Sequence, residues 1–495
     1  MNRFLKGTLI LFLSGIILKI LGFFYQIYVV RTIGTEALGL VNMVFPYYIT
    51  LVIIATMGMP LAISRLVAKG EARGVNTAKI MRTAFLVVLV LSVSLTVLAV
   101  MILPKVFVYL EFDSRLRWCF YIMLPGITIV PLCSVMRGYF QGKQKMLAPS
   151  MGQIIEQVSR IICGVVLISC FSGAYQGYLA LFLAAAMMMG ELIGMLSLSA
   201  CYLRERRREY LPKNDEPVLG EMLSLGVPAT FTRLTSSVDL ILEAWLLPKG
   251  LVRWGYTNSQ SATLYGQINS VCFTLISLPG VLTNALATML IPSIAALSVG
   301  SSHKLKEKCA NALLVTYMFA LPVAAIFFVS GGELLRLIYH LDGLDEIMQI
   351  LALGAVFIYL GQTAVGILQG LGENKLIFVT NLLGSAAKII FIYLLIWQRN
   401  GALLGAALAF SGAYFLQCLG NIFILYRRVR FSLPFMKLFV PLVLSFVISR
   451  LLLPVEAILS PLFGAWAIIP AAIVLALGYL LMLIILRVFS FKMLS

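Results

Sequence analysis

Residues 7–30 read GTLILFLSGIILKILGFFYQIYVV, twenty-four positions with a single charge, Lys19, near the centre. About 20 apolar residues in a helix cross a hydrocarbon core of ~30 Å, so this run is a membrane span with a cation at mid-depth. No small-residue cleavage site follows it, which predicts an uncleaved first span rather than a signal peptide.

The same texture continues through all 495 residues, 61% hydrophobic and only 12% charged. A soluble domain is about 45–50% apolar and about 25% charged. So few polar residues cannot cover so much core, which excludes a soluble enzyme, a disordered chain and a secreted disulfide scaffold. Apolar windows bounded by charge, Gly and Pro predict an all-α polytopic protein of about fourteen spans: 8–30, 37–60, 80–103, 118–140, 150–172, 177–203, 218–247, 264–297, 309–331, 347–371, 376–398, 401–426, 434–454 and 463–486. The seventh and eighth are too long for one straight helix, and Pro228 and Pro279/Gly280 mark the expected kinks.

The net charge of +18 does not point to nucleic acid, because the basic residues lie between or inside apolar runs. Of 38 Lys and Arg, 24 fall at the termini and on the connections of one side, and 8 on the other. That bias predicts both termini in the cytoplasm. Eight cysteines and two histidines show no metal-ligand spacing, so neither a metal site, a cofactor nor a disulfide framework is expected.

The halves repeat. Gln141-Gly142 and, eighteen residues after Gln141, Ser159-Arg160-Ile161-Ile162 match Gln369-Gly370 and Ala387-Lys388-Ile389-Ile390 at one offset of 228. The pattern predicts an N-lobe (1–203, helices 1–6), a basic cytoplasmic linker (204–217), a C-lobe (218–426, helices 7–12) and two appended helices (427–495). Repeat transporters hold substrate near the midplane between repeats.

An ionisable group at mid-bilayer costs about 2.5–3.5 kcal/mol and faces a cavity by default. Lys19, Arg160, Arg233 and Lys388 all lie near the middle of their predicted spans. Four such cations carry roughly 10–14 kcal/mol, which packing alone does not justify. Arg160 has Glu156 at i−4, a spacing equally suited to a structural pair and to a ligand site. Glu191 is placed to neutralise Lys19 or Arg160, while Asp239 and Glu243 share a face of helix 7 as candidates for ion coupling or charge pairing. Arg137 and Arg450 read as interfacial anchors. Arg65, beyond Pro60, is a candidate for catching a headgroup or contacting the membrane surface. No nucleophile–base set or glycine-rich phosphate loop is present, so no enzyme activity is expected.

A cavity with surplus positive charge suits an anion, since Arg matches phosphate oxygens bidentately and Lys supplies a point charge. With the cytoplasm negative, an anion moving outward gains about 2.3 kcal/mol per charge per 100 mV.

Several stretches resemble the stage V sporulation protein B family of the multidrug/oligosaccharidyl-lipid/polysaccharide exporter superfamily. They are Phe4 to Leu11, Leu21 to Leu40, Met57 to Ala68, Arg137 to Gly142 and Val227 to Leu234. The resemblance implies two lobes that alternate between inward and outward openings, in the plasma membrane of a bacterium. It also implies a lipid-linked saccharide as substrate, of undecaprenyl-diphosphate type, for cell wall, spore cortex or polysaccharide. The related lipid II flippases carry a basic residue ahead of an L-G-F segment, a position that Lys19 matches before Leu21-Gly22-Phe23. Their following Arg-Asp pair is here Tyr25-Gln26, which sets this chain apart.

The first functional reading is therefore a flippase in which the cations hold a diphosphate and Gln26, Gln153, Gln267 and Gln362 meet sugar hydroxyls. Its partners are the lipid-linked saccharide, membrane lipids and cell-wall synthesis enzymes. The alternative is a multidrug and toxic compound extrusion antiporter, which would use Asp239 and Glu243. A scaffold for wall synthesis is a third, but it has no use for four midplane cations.

Overall fold

The computed structural model describes residues 3–489 apart from 74–76, 110–112, 172–175, 207–218, 299–301 and 399–400. Among the described residues there is no β-strand. The chain is a polytopic helical membrane protein, and each predicted span is helical. Helix α1 (Arg3–Thr56) contains the first two, joined at Gly34. Gly34 has a φ of 77°, a conformation that costs a side-chain-bearing residue far more than glycine. Helices α2 (Met59–Arg73) and α3 (Thr77–Tyr109) follow, and α4 (Ser114–Met123) and α5 (Gly126–Gly142) form one span kinked at Pro125. Then come α6 (Leu147–Cys170), α7 (Gln176–Arg206) and α8 (Leu219–Arg253), which continues unbroken through Pro228.

The eighth span is composite: α9 (Asn258–Gly266), a π-helical stretch (Gln267–Cys272), α10 (Phe273–Ser277) and α11 (Gly280–Ser298), broken at Pro279 as expected. The remainder is α12 (Ser302–Tyr339), α13 (Asp345–Gly370), α14 (Asn374–Ile392) with a π-helical end (Tyr393–Trp397), α15 (Ala402–Val429), α16 (Phe435–Phe463) and α17 (Ile468–Ile485). Among the described residues, eleven segments are long and apolar enough to cross a bilayer. Ile10–Gly70 and Phe435–Ile485, at 61 and 51 residues, are each long enough for two passes and break at Gly34 and Gly464. With the 35 residues of α8, whose charges lower its hydropathy, the total is about fourteen. Beyond Arg206 the predicted basic linker lies outside the described residues.

The chain divides into two compact units. Unit 1 comprises Met1–Pro248 and Tyr256–Ser270, and unit 2 comprises Lys249–Gly255 and Val271–Ser495. This cut differs from the repeat-based lobes, because most of α8 and all of α9 pack within unit 1. Two backbone approaches explain it. A Cβ on Gly226 of α8 would lie 2.3 Å from the Met57 carbonyl oxygen, and one on Gly39 of α1 would lie 1.8 Å from that of Ala262 in α9. No side chain fits at either crossing. Near the Gly226 crossing Met59, Ile63, Tyr139, Phe140 and Met222 form a buried core. At one end of the unit Asp113 caps α4, and Arg115 bonds both Asp113 and Glu36 of α1 at 2.6 Å.

Unit 2 is built round Ile294, Leu313, Ile367 and Leu425, with α16 and α17 packed on α12 through Leu314, Ile448, Tyr479 and Leu483. Here the structure corrects one expectation. Arg450 is not at the end of its helix, because α16 continues past Pro454 to Phe463 and leaves Arg450 near its middle. The guanidinium lies over the Phe446 ring, 5.1 Å from its centroid.

Candidate functional site

In unit 1, α1, α6 and α7 bring several predicted residues together. Helix α6 runs beside α1: Ser14 bonds Ser150 at 3.3 Å, and Tyr28 lies 3.4 Å from Ser169. Between these contacts, a Cβ on Gly22 would lie 3.7 Å from Gln157 Nε2. Lys19, three residues before Gly22, flanks the seam about 60° round the helix. It is exposed and makes no ion pair with a described residue. Gln26, one turn beyond Gly22, is half-buried.

On α6, Arg160 donates to Glu156 at 3.0 Å and to Gln157 at 3.3 Å. The second oxygen of Glu156 accepts from Arg137 of α5 at 2.8 Å. Arg137 is thus no interfacial anchor, because the nearby carboxylate holds it inside the helix packing. Helix α7 completes the group. A Cβ at Gly190 would lie 2.8 Å from the Arg160 Cβ, so a small residue there is what admits the arginine. Buried Glu191 accepts from the Tyr48 hydroxyl at 2.8 Å and lies within electrostatic reach of Arg160, Arg137 and Glu156. Two guanidinium groups and two carboxyl groups thus share one cluster. The sequence does not single out Tyr48 or Arg137 for this site, because their partners Glu191 and Glu156 lie on other helices; Gln157, three residues before Arg160 on the same helix, is legible from spacing.

Unit 2 differs at the equivalent positions. The offset of 228 sets Arg137, Glu156 and Arg160 against Val365, Gly384 and Lys388. The cation persists, while its i−4 acid has become a glycine. Gly384 lets α15 approach, since a Cβ there would lie 3.0 Å from that of Gln417. Lys388 is only 8% exposed, and its ammonium lies over the Phe410 ring of α15, 5.8 Å from the centroid. That is a cation–π contact, which is strongest where water is excluded.

The remaining candidates stand apart from these groups. Arg65 on α2 and Arg233 on α8 are exposed, with no ion pair to a described residue. Glu243 is buried and Asp239 half-buried on α8. Gln153 and Gln267 are half-buried, and Gln362 lines a cavity in unit 2.

The sequence pattern of the family described as polysaccharide biosynthesis protein matches residues 4–297. The chain belongs to that family. Among curated relatives of this chain, stage V sporulation protein B of Bacillus subtilis (strain 168) is 29% identical over 420 residues, covering 82% of this chain and 80% of its own. Lipid II flippase MurJ of the same organism is 23% identical over 440 residues, covering 83% and 80%. In fold, the chain is similar to a lipid II flippase MurJ in an inward closed conformation. The TM-score is 0.73 at 16% identity, over 97% of this chain and 99% of that one. An inward-facing multidrug resistance MATE family transporter of the MOP superfamily gives 0.69 at 15% identity, over 83% and 94%. The relatives and structures named for an activity are flippases or transporters, not enzymes.

Proposed function

We propose that this protein is a membrane flippase that exports a lipid-linked saccharide of undecaprenyl-diphosphate type by alternating access. The product would serve cell-wall, spore-cortex or polysaccharide synthesis. The observation that carries this reading is Lys388, a cation 8% exposed within an apolar span, at the position that Arg160 holds one offset of 228 earlier. An ionisable side chain inside a membrane span marks a substrate or ion pathway by default. Lys19 supplies a second cation, exposed beside the α1–α6 seam, and Arg233 and Arg65 are further candidates on exposed surfaces. In this reading Arg160 is held in place by Glu156, and the Glu156–Glu191 group sets its orientation. The excess of Lys and Arg on one set of connections supports a bacterial plasma membrane protein with both termini cytoplasmic. Wall-synthesis enzymes would take the product on the outer face.

A second reading has support of its own: Asp239 and buried Glu243 on α8 are the acids that a cation-coupled antiporter would use. Reconstituted vesicles separate the two. A diphosphate bears about two charges, so 100 mV biases its leaflet distribution by about 4–5 kcal/mol, on the order of a thousandfold. We expect a short-chain diphosphate-linked saccharide to redistribute when that potential is imposed. Indifference of this probe to potential, with an organic cation accumulating against a sodium or proton gradient, would establish the antiporter instead.

A further inference from the structure

In unit 2, helices α11, α13 and α15 surround a cavity of about 370 Å³, within the range of about 300–1,000 Å³ typical of small-ligand sites. Asn284, Gln362, Gln369, Tyr414, Gln417 and Asn421 supply most of its polar lining, and among the described residues no charged side chain lines it. A charged ligand would find no counter-charge here, and an apolar one would strand the amides without partners.

The amides are held in place. The Thr283 hydroxyl, which also bonds the Gly280 carbonyl, meets Gln362 at 2.5 Å, and that of Thr380, which also bonds the Ile377 carbonyl, meets Asn421 at 2.6 Å. Gln417 bonds Asn381 at 2.7 Å. Each amide thus spends one end on a neighbouring side chain and keeps the other. Asn421 is 1% exposed, and its Nδ2 is buried with no hydrogen-bond partner among the described residues. A fold rarely keeps such a donor unless a ligand or water meets it.

Amides, each able to donate and to accept, on one neutral wall suit a group that does both at the same atom, which is what a hydroxyl does. From this geometry we infer that the cavity receives the uncharged sugar of the transported lipid, and that Asn421, Gln362 and Gln417 read its hydroxyls. This inference rests on the flippase reading and places the sugar relative to the cation. The Lys388–Phe410 and Asn381–Gln417 contacts join the same two helices, α14 and α15. In each helix the two contact residues are seven apart, about 10.5 Å along the axis. A diphosphate at Lys388 thus lies on the same seam as the cavity, about two helical turns away.

The test measures affinity of the full chain in lipid nanodiscs for two probes, farnesyl diphosphate and the same lipid bearing an N-acetylated sugar on its terminal phosphate. The unmodified protein should prefer the sugar-bearing probe. Because Asn421 is deeply buried, the half-buried Gln362→Met and Gln417→Met carry the test beside Asn421→Leu. Each should reduce the ratio of the two affinities about tenfold, the effect of one lost hydrogen bond that leaves its partner unpaired. A ratio unchanged in folded Gln362→Met and Gln417→Met overturns the inference and leaves the flippase reading standing. So does an unmodified protein that binds both probes equally. If the unmodified protein binds neither probe, the flippase reading falls and the inference falls with it.

Discussion

Replacing Lys388 with glutamine is expected to lower transport of a diphosphate-linked saccharide at least about thirtyfold while the protein still folds. The magnitude follows from what a buried ammonium gives an anion. Removing one partner of a desolvated, hydrogen-bonded charge pair costs about 2–5 kcal/mol in affinity, and 2 kcal/mol is about thirtyfold. Glutamine removes the charge, keeps a polar end and is one atom shorter, so most of the α14–α15 contact near Phe410 is kept. Lys388→Arg keeps the charge and should retain part of the activity. The measurement is initial flipping rate in vesicles, beside Tm and gel-filtration profile as controls of folding. Full transport by Lys388→Gln would remove this residue from the substrate path.

The second large effect concerns stability. Glu156→Ala leaves Arg137 and Arg160 facing one another without the carboxylate that both now bond, at 2.8 and 3.0 Å. Breaking a buried ion pair by removing one partner costs about 3–5 kcal/mol. The three side chains here are 19–25% exposed, so screening reduces the expectation to about 2–3 kcal/mol. A Tm several degrees lower in detergent or nanodiscs is the expected result. Glu156→Ala with Arg160→Gln should recover part of the loss, because one stranded cation is then removed. An unchanged Tm in the single variant would show that the three charges do not act as a group.

These two residues show how far the sequence could be read. Membrane spans are legible because hydrocarbon demands about 20 apolar residues whatever the neighbours, and each predicted span is helical in the structure. The offset of 228 that sets Arg160 against Lys388 is likewise read from the chain alone. What escapes is pairing across helices. Arg137 and Glu156 are 19 residues apart on α5 and α6, and Tyr48 and Glu191 are separated by 143 residues. Only the packing decides that they meet. Arg450 was misplaced for a local reason, in that Pro454 reads as a helix end but lies within α16. The amide cavity escapes for an energetic one: Asn and Gln stand out far less than a charge in a hydropathy reading. The signal is nonetheless there. Tyr414, Gln417 and Asn421 recur at i, i+3 and i+7 in an apolar helix, a polar stripe on one face.

The grouping of α8 and α9 with unit 1 has the same origin. Gly39, Gly226 and Ala262 look unremarkable one at a time, and only the backbone approaches of 1.8 and 2.3 Å to an added Cβ disclose the crossings.

The central claim, outward movement of a lipid-linked saccharide, is tested most directly by depleting this protein from cells in which it is the sole exporter. The quantity to follow is the exposure of lipid-linked precursor to an impermeant surface probe. The flippase account requires that exposure falls while precursor accumulates on the inner leaflet, and that a Lys388→Gln copy fails to restore it. Unchanged surface exposure after depletion would contradict the account.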